Sequence, residues 1–420
     1  MLSQHLPGVL HQRQFRLLLA ARSISLAGSA FTTVALSFAV LDLTGSVADL
    51  GLVLAVQVAC MLPSLVAGGV WSDRLSRRRV MMVCNLGSFV LQASTAGLLL
   101  SHTASVWQLA TLQGLRGVAF GFFAPASKGL VPEVVDLEQL QPANALIGMS
   151  MWVANVVGPA ASGILTARVG PGWAIAIDAV SFLASAALLG AMGAAQLRPS
   201  PAPKSGFLRD LLGAWSEVRS RSWLWATILW GSLWLFAVVA PIYVLGPQVA
   251  RQSLGGASVW GAIMAVYGTG AVLGGVIMLR LRPRRPMLVN CLVGLACIPL
   301  LISLALPAPA WMVVLLALPY GFDVGVSGAL WGTALQYHVP RQMLSRVSAY
   351  DYLGSYVMLP LGYLIAGPLA QRIGLGTTLW ISTVAAVICV VGALSVPGVR
   401  SMSTISSLQP AATDDQASAT

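Results

Sequence analysis

The stretch Gly68-Gly69-Val70-Trp71-Ser72-Asp73-Arg74-Leu75-Ser76-Arg77-Arg78-Arg79-Val80-Met81 sets a run of charge between two long apolar segments. Its frame returns 206 residues later as Gly274-Gly275, Arg280, Arg284, Arg285 and Met287. A second recurrence, at a shift of 204, sets Gly158, Gly163 and Arg168-Val169-Gly170-Pro171-Gly172 against Gly362, Gly367 and Arg372-Ile373-Gly374-Leu375-Gly376. The chain therefore reads as two related halves. Six apolar segments separate the copies, an even number, so both halves run in the same direction. Parallel repeats of this kind place a pseudo-two-fold axis along the membrane normal and a cleft between the halves that can open to either side.

Composition says what the apolar segments are. Of 420 residues, 57% are hydrophobic and 9% charged, against about 25% charged in a soluble domain. Twelve spans of about 20 residues take up about 240 positions, the length being set by a hydrocarbon core about 30 Å thick, and the remainder suffices only for loops and tails. Hydropathy, turn residues and charge breaks predict helices at about 17–41, 50–70, 80–100, 106–126, 144–165, 173–194, 223–246, 258–279, 287–306, 310–332, 348–369 and 377–396. The expected fold is all-α and integral to the membrane, with twelve transmembrane helices in two pseudo-symmetric six-helix bundles. Residues 1–195 form the first bundle and 223–398 the second. Between them, 196–222 read as a cytoplasmic linker whose Phe207, Leu208, Leu211, Leu212, Trp215 and Val218 recur at helical spacing, an amphipathic helix lying on the membrane surface. The Ser-, Ala- and Gln-rich tail at 399–420 reads as disordered.

The formal charge of +11 suits either nucleic acid or loops facing anionic lipid. Position along the chain decides. With the N-terminus inside, 19 Lys and Arg fall on the cytoplasmic side, while Arg168, Arg251 and Arg372 fall outside. That asymmetry places both termini in the cytoplasm, makes the chain a multi-pass protein of the plasma (inner) membrane, and leaves no need for a nucleic-acid partner. The first apolar run is longer than a signal-peptide core and lacks a small-x-small cleavage site, so no processing is expected. Cys60, Cys84, Cys291, Cys297 and Cys389 lie in apolar runs without a CxxC, and His5, His11, His102 and His338 are scattered. Neither a metal site nor a cofactor is expected.

Charges inside the spans are expensive, roughly 2.5 to 3.5 kcal/mol each at mid-bilayer, and mark function by default. Arg116 and Asp323 fall near the midplane of the fourth and tenth helices. We expect Asp323 to be a coupling carboxylate that takes and releases protons as the cleft alternates, with Arg116 either pairing with it or receiving an anionic group of the substrate. The alternative is a fixed Arg116 and Asp323 pair that ties two helices together. Arg22 lies about five residues from the inner end of the first helix, where it lines the cavity or snorkels to the headgroups. Asp178, equally near the outer end of the sixth helix, is a further proton-coupling or cavity candidate, though its position better suits capping or loop packing. Asp42, Asp49, Glu133, Asp136 and Glu138 read as solvated.

Aromatic residues suggest where a partly apolar ligand sits. Trp230 and Trp234 share a helix face at i, i+4, with Tyr243 further along, and the tenth helix adds Tyr320 and Phe322. Trp223, Trp225 and Trp331 read as interfacial belt residues. Gly114, Gly117, Gly121, Gly268 and Gly270 read as sites of close helix packing.

The stretch Gly69-Val-Trp-Ser-Asp73-Arg74-Leu-Ser76-Arg77-Arg78-Arg79 resembles the signature G-x-x-x-D-R-x-G-R-R of the major facilitator superfamily, with Ser76 in place of its glycine. Phe122-Phe-Ala-Pro125-Ala126, Leu140-Gln-Pro-Ala-Asn144, Gly172-Trp-Ala-Ile-Ala-Ile-Asp178, Trp331-Gly-Thr-Ala-Leu-Gln336 and Ser345-Arg346-Val-Ser-Ala-Tyr-Asp351 are similar to its bacterial drug-exporter, proton-antiporter branch. Where exporters of that branch often carry an arginine, four residues before the glycine aligned at Gly117, this chain has Gln113, a candidate cavity residue, and Arg116 stands beside the glycine. The resemblance implies that the first, fourth, seventh and tenth helices line the cavity. It also implies that Gly69, Asp73, Arg74, Arg77 and Arg78 belong to a conformational latch on the inner face, centred on Asp73 and Arg77; the bland reading of the arginines is that they enforce topology.

The sequence has no GxxxxGK[ST] loop for an ATP-driven pump and no cluster of nucleophile, base or metal ligands for an enzyme. The expected protein is a monomeric secondary transporter that exports drugs or natural-product-like small molecules against protons. The alternatives are a siderophore exporter or a solute uptake symporter of the same fold.

Overall fold

The computed structural model describes residues 9–72, 75–193, 219–281, 283–339 and 344–402. Among these residues there is no strand. The helices are α1 Arg13–Thr44, α2 Val47–Ser72, α3 Arg77–Leu100, α4 Val106–Val134, α5 Leu140–Val169, α6 Pro171–Gly190, α7 Ser222–Leu254, α8 Ala257–Met278, α9 Pro286–Ala305 and α10 Ala310–His338. α11 comprises Leu344–Tyr356 and Leu359–Ile373, α12 is Leu375–Ser395, and a single turn, α13, closes the described chain at Pro397–Ser401. Long helices are what an apolar chain must form in lipid, because each N–H and C=O finds its partner within its own segment. The expected amphipathic linker lies outside the described residues apart from its last four.

Eleven of the described helices are long and apolar enough to cross a membrane. The remaining long helix, α4, spends its apolarity on Gln108, Gln113, Arg116, Lys128 and Glu133, yet runs for 29 residues. Its start is fixed by a capping box in which Ser105 and Gln108 satisfy each other's backbone N–H groups. α4 packs along α2 and α3, with Gln113 buried and Arg116 and Glu133 partly buried, while Gln108 and Lys128 are exposed. The boundary expected at 399 is corrected: Val399 and Met402 are buried against the second half. The Pro397 ring, at the first position of α13, presets the backbone for one more helical turn beyond α12.

The repeat read in the sequence is a repeat of contacts. A Cβ placed on Gly68 would stand 2.6 Å from the Gly121 carbonyl oxygen of α4, and one on Gly274 2.3 Å from the Phe322 carbonyl oxygen of α10. Gly158 lets α5 approach Ala30 of α1, as Gly362 lets α11 approach Phe236 and Ala240 of α7. Gly163 and Gly367 then join the halves: the first meets Ala257 and Gly261 of α8, the second Val47 and Ala48 of α2. In lipid no hydrophobic force drives helices together, so backbone approach at small residues supplies the packing. Gly170 and Gly374, with φ of 93° and 89°, turn the chain from α5 into α6 and from α11 into α12 in a backbone region that side chains disfavour.

Consecutive helices run antiparallel, so α1 begins and α12 finishes at one end of the molecule, called here the terminal end. Among the described residues, two polar ties between the halves lie at the opposite, far end. Arg251 of α7 donates from Nη1 to the Leu41 carbonyl at the C-terminus of α1 (2.8 Å) and faces Asp42 at 3.4 Å. Gln371 of α11 donates to Ser46 (3.2 Å). Among the described residues the halves are thus tied at the far end, by these bonds and by the Gly163 and Gly367 contacts.

Candidate functional site

The first half carries a buried polar network. Asp178, fully buried on α6, accepts from Thr32 Oγ1 of α1 (2.6 Å) and Gln92 Nε2 of α3 (2.6 Å), and faces Arg116 Nη2 of α4 at 3.5 Å. Gln113 donates to Gln92 Oε1 (3.0 Å), and Arg116 also reaches Ser29 Oγ (3.2 Å) with its guanidinium over the Phe182 ring. Four helices of one half are joined through one carboxylate. Two expectations are corrected here. Asp178 neither caps a helix nor packs a loop: it lies two turns into α6 and points at the bundle interior. The pairing of Arg116 with Asp323, one of the alternatives left open by the sequence, is not formed, because α4 faces α6 within its own half, and Asp178 supplies the negative charge there. Gln113, expected in the cavity, is buried in this network. Gln113 Oε1 and Arg116 Nε remain without partners.

Arg22 is half-buried on α1, two and a half turns in from Arg13, and among the described residues its side chain has no hydrogen-bond or ion-pair partner.

The second half holds a cavity of about 490 Å³, within the range of small-molecule sites. Trp230, Trp234 and Tyr243 of α7, Tyr267 of α8, Tyr320 of α10, and Tyr356 and Tyr363 of α11 form its walls. The Trp230 and Trp234 rings lie 5.5 Å apart, and those of Tyr267 and Tyr320 5.0 Å apart. α7 passes the cavity through a wide π-turn at Leu235–Val239, and Leu235 and Val239 both line it; such turns are frequent at functional sites. Phe322 is excluded: a residue on an α-helix turns about 100° from its neighbour, and Phe322 packs beside the α8 glycines while Tyr320 and Asp323 face the cavity.

Asp323 is 3% exposed and takes one hydrogen bond, from Ser327 Oγ to Oδ1 (2.9 Å). Asp351 of α11 is bonded on both oxygens, by Trp331 Nε1 (2.7 Å) and Ser355 Oγ (3.3 Å). Trp331, expected at the interface, is therefore a cavity residue held by a carboxylate. Asn290 of α9 also lines the space, 2% exposed, and its Oδ1 has no partner. Sequence reading missed Asp351, Asn290 and Tyr267. Asp351 lies inside the span expected at 348–369, and an intramembrane carboxylate is the signal that finds it; a neutral Asn in an apolar run gives none.

At the terminal end, Arg77 donates to the Gly129 carbonyl (3.0 Å) and to Glu133 (2.9 Å), both on α4, so Glu133 is paired rather than solvated. Arg78 donates to the Leu189 and Gly190 carbonyls, capping α6. Gly69 sits near the end of α2 with open space at its Cβ position. Asp73 and Arg74 lie outside the described residues.

Two halves of long apolar helices, tied at one end, with a carboxylate-lined cavity among helices long and apolar enough to cross a membrane, fit a membrane transporter. Residues 18–363 match the model of the Major Facilitator Superfamily, and the chain belongs to that family. It is a transporter and not an enzyme. Among curated proteins it is similar to the enterobactin exporter EntS of Citrobacter koseri, 28% identical over 348 residues and 80% of each chain, and to that of Shigella boydii, 29% identical over 345 residues and 80% of each. Among solved structures it resembles the nucleoside transporter NupG, with a TM-score of 0.71, 13% identity and coverage of 93% of this chain and 99% of that one. A bacterial homolog of the human lysosomal transporter Spinster, in an inward-facing and unoccupied conformation, gives 0.70, 15%, 93% and 98%. At these identities the structures speak for the fold.

Proposed function

We propose that the protein is a proton-coupled exporter, an antiporter of drugs or natural-product-like small molecules, working as a monomer in the plasma membrane with both termini in the cytoplasm. The observation that carries this reading is the aromatic cavity with Asp323 in its wall, in a molecule closed at the far end. With the basic terminal end in the cytoplasm, ligand loads from inside the cell. Rocking about the pseudo-two-fold axis then opens the cavity outward, and Asp323 exchanges ligand for a proton there. In that outward-open state the halves meet at the terminal end, where Asp73 and Arg77 serve as the latch. Arg116, already balanced by Asp178, serves to hold the first half rigid while it rocks.

The test is transport in everted vesicles with a pH gradient, using a panel of toxic compounds, with cells lacking the protein as control. We expect uptake of at least one compound that collapses with the gradient and is abolished in Asp323→Asn while the protein level is unchanged. Transport that survives collapse of the gradient removes proton coupling, and transport undiminished in Asp323→Asn removes that residue from the mechanism. Similarity to enterobactin exporters favours siderophore export as the second reading; it is supported if a catecholate siderophore is carried and the drug panel is not.

A further inference from the structure

α5 and α6 form a hairpin, yet each packs mainly on other helices. Ser162 of α5 donates to the Phe31 carbonyl of α1 (2.6 Å), and Gly158 and Gly163 draw α5 onto α1 and α8. α6 is held from its other side by α3, where Asn85 donates to Ser185 (2.8 Å) and Gly172 meets Leu100. The two helices therefore splay. A crevice of about 460 Å³ opens between them, lined by Leu165 and Val169 of α5 and by Trp173, Ala176, Ile177 and Val180 of α6. From Trp173, near the Gly170 turn at the far end, it descends along α6 to Val180, about 10 Å at 1.5 Å per residue.

Helices of this length and apolarity put the crevice in the hydrocarbon of a bilayer, and an unfilled apolar crevice forfeits dispersion contacts on both walls. At its mouth stands a charge. Arg168, in the last turn of α5, shares a helix face with Leu165 at i, i+3. It is exposed and has no hydrogen-bond or ion-pair partner among the described residues. The dipole of α5 favours a cation there but leaves the donors of the guanidinium unmet, and a guanidinium matches the geometry of a phosphate. Trp173, half-exposed beside it, is an aromatic anchor of the kind found at headgroup level. We propose that this crevice holds an anionic phospholipid of the far-end leaflet, an acyl chain along Ala176, Ile177 and Val180 and the phosphate on Arg168. The apolar walls alone would suit a second copy of this chain; the unpaired Arg168 at the mouth favours the lipid, whose net negative charge it complements. The proposal requires only that the chain spans a membrane, and it is independent of substrate and coupling.

The test uses the purified full-length protein in phosphatidylcholine liposomes that carry a trace of phosphatidylglycerol or phosphatidylcholine, each with the same photoreactive acyl chain. Crosslinks are mapped by mass spectrometry to residues 165–180 and normalised to those on the exposed face of α12 at Val384, Ile388 and Val391. Phosphatidylglycerol is expected to label 165–180 about three- to five-fold more than phosphatidylcholine, the preference that one Arg near anionic lipid supplies. Arg168→Gln is expected to bring that ratio to about one, and Arg168→Lys to keep most of it. Ala176→Trp fills the crevice and is expected to lower labelling by both lipids. Arg372→Gln, at the equivalent turn between α11 and α12 and also exposed, is the control and is expected to change nothing at 165–180. Gel filtration identifies any variant that fails to fold, and the ratio in the parent protein decides without it. Equal labelling by the two lipids, a ratio that persists in Arg168→Gln, or an equal loss in Arg372→Gln overturns the proposal. So does a dimer by mass photometry whose hairpin takes neither lipid, since a second copy then fills the crevice.

Discussion

Asp178 and Asp323 are both buried carboxylates in helical bundles, and their neighbours give them opposite behaviour. Asp178 holds an arginine and two neutral donors, so its charge is balanced within the fold. Removing one partner of a buried pair leaves the other uncompensated and costs about 3–5 kcal/mol. We therefore expect Asp178→Asn to lower the melting temperature in detergent strongly, while Asp323→Asn leaves it unchanged or raises it. The double variant Asp178→Asn with Arg116→Gln is expected to recover part of the loss, and a double-mutant cycle on unfolding measures the coupling. If Asp178→Asn melts with the parent protein, the network is not what holds these four helices. The sequence singled out Arg116, Asp178 and Asp323 by the cost of charge in lipid. It could not pair them, because pairing depends on which way each helix is turned, and α4 has hardly any apolar stripe by which to judge its rotation.

At the scale of elements, the close helix crossings are the most demanding local feature. A Cβ on Gly321 would stand 1.8 Å from the Tyr267 carbonyl oxygen, and one on Gly117 2.2 Å from that of Gln57. In both cases the obstacle is backbone, which cannot swing aside. Gly321→Ala and Gly117→Ala are each expected to destabilise by about 1–3 kcal/mol, the usual cost of overpacking, seen as lower melting temperatures. Gly97→Ala, where nothing lies within 4 Å, is the control and is expected to be neutral or slightly stabilising through helix propensity. Gly321→Ala should further disturb ligand binding, since Tyr267 and Tyr320 flank that crossing. These elements were legible because hydropathy, glycine spacing and the 204- and 206-residue shifts all report on the same packing. Their ends were less so: α1, α5 and α10 run to Thr44, Val169 and His338, beyond the spans expected at 17–41, 144–165 and 310–332. Hydropathy marks the hydrocarbon crossing, whereas the hydrogen-bond ladder continues into the headgroup region.

For the whole molecule, alternation requires that the ties at the far end be strong enough to close it and weak enough to break. Arg251 suits that role. It is the polar link between the last turn of α7 and the last turn of α1, donating to the Leu41 carbonyl, which also accepts the Gly45 N–H, and facing Asp42, which is itself half-exposed. A hydrogen bond from a charged donor contributes about 1.5–3 kcal/mol. With its side chain 36% exposed, we discount the Arg251 contribution to about 1–2 kcal/mol for solvent screening. Losing it shifts the balance between far-end-closed and far-end-open states roughly five- to thirty-fold. The reading is checked by spin labels on Leu43 of α1 and Ile373 of α11, exposed positions on opposite halves at the far end. In Arg251→Ala the long-distance population should grow at the expense of the short one, and Arg251→Lys should restore part of the closed population through its remaining donors. Because two apolar contacts at the same end, Gly163 on Gly261 and Gly367 on Ala48, are untouched by the substitution, the open state gains weight without becoming the sole state. An unchanged distance distribution in Arg251→Ala would mean that those backbone contacts alone close the far end, and that the arginine merely caps α1.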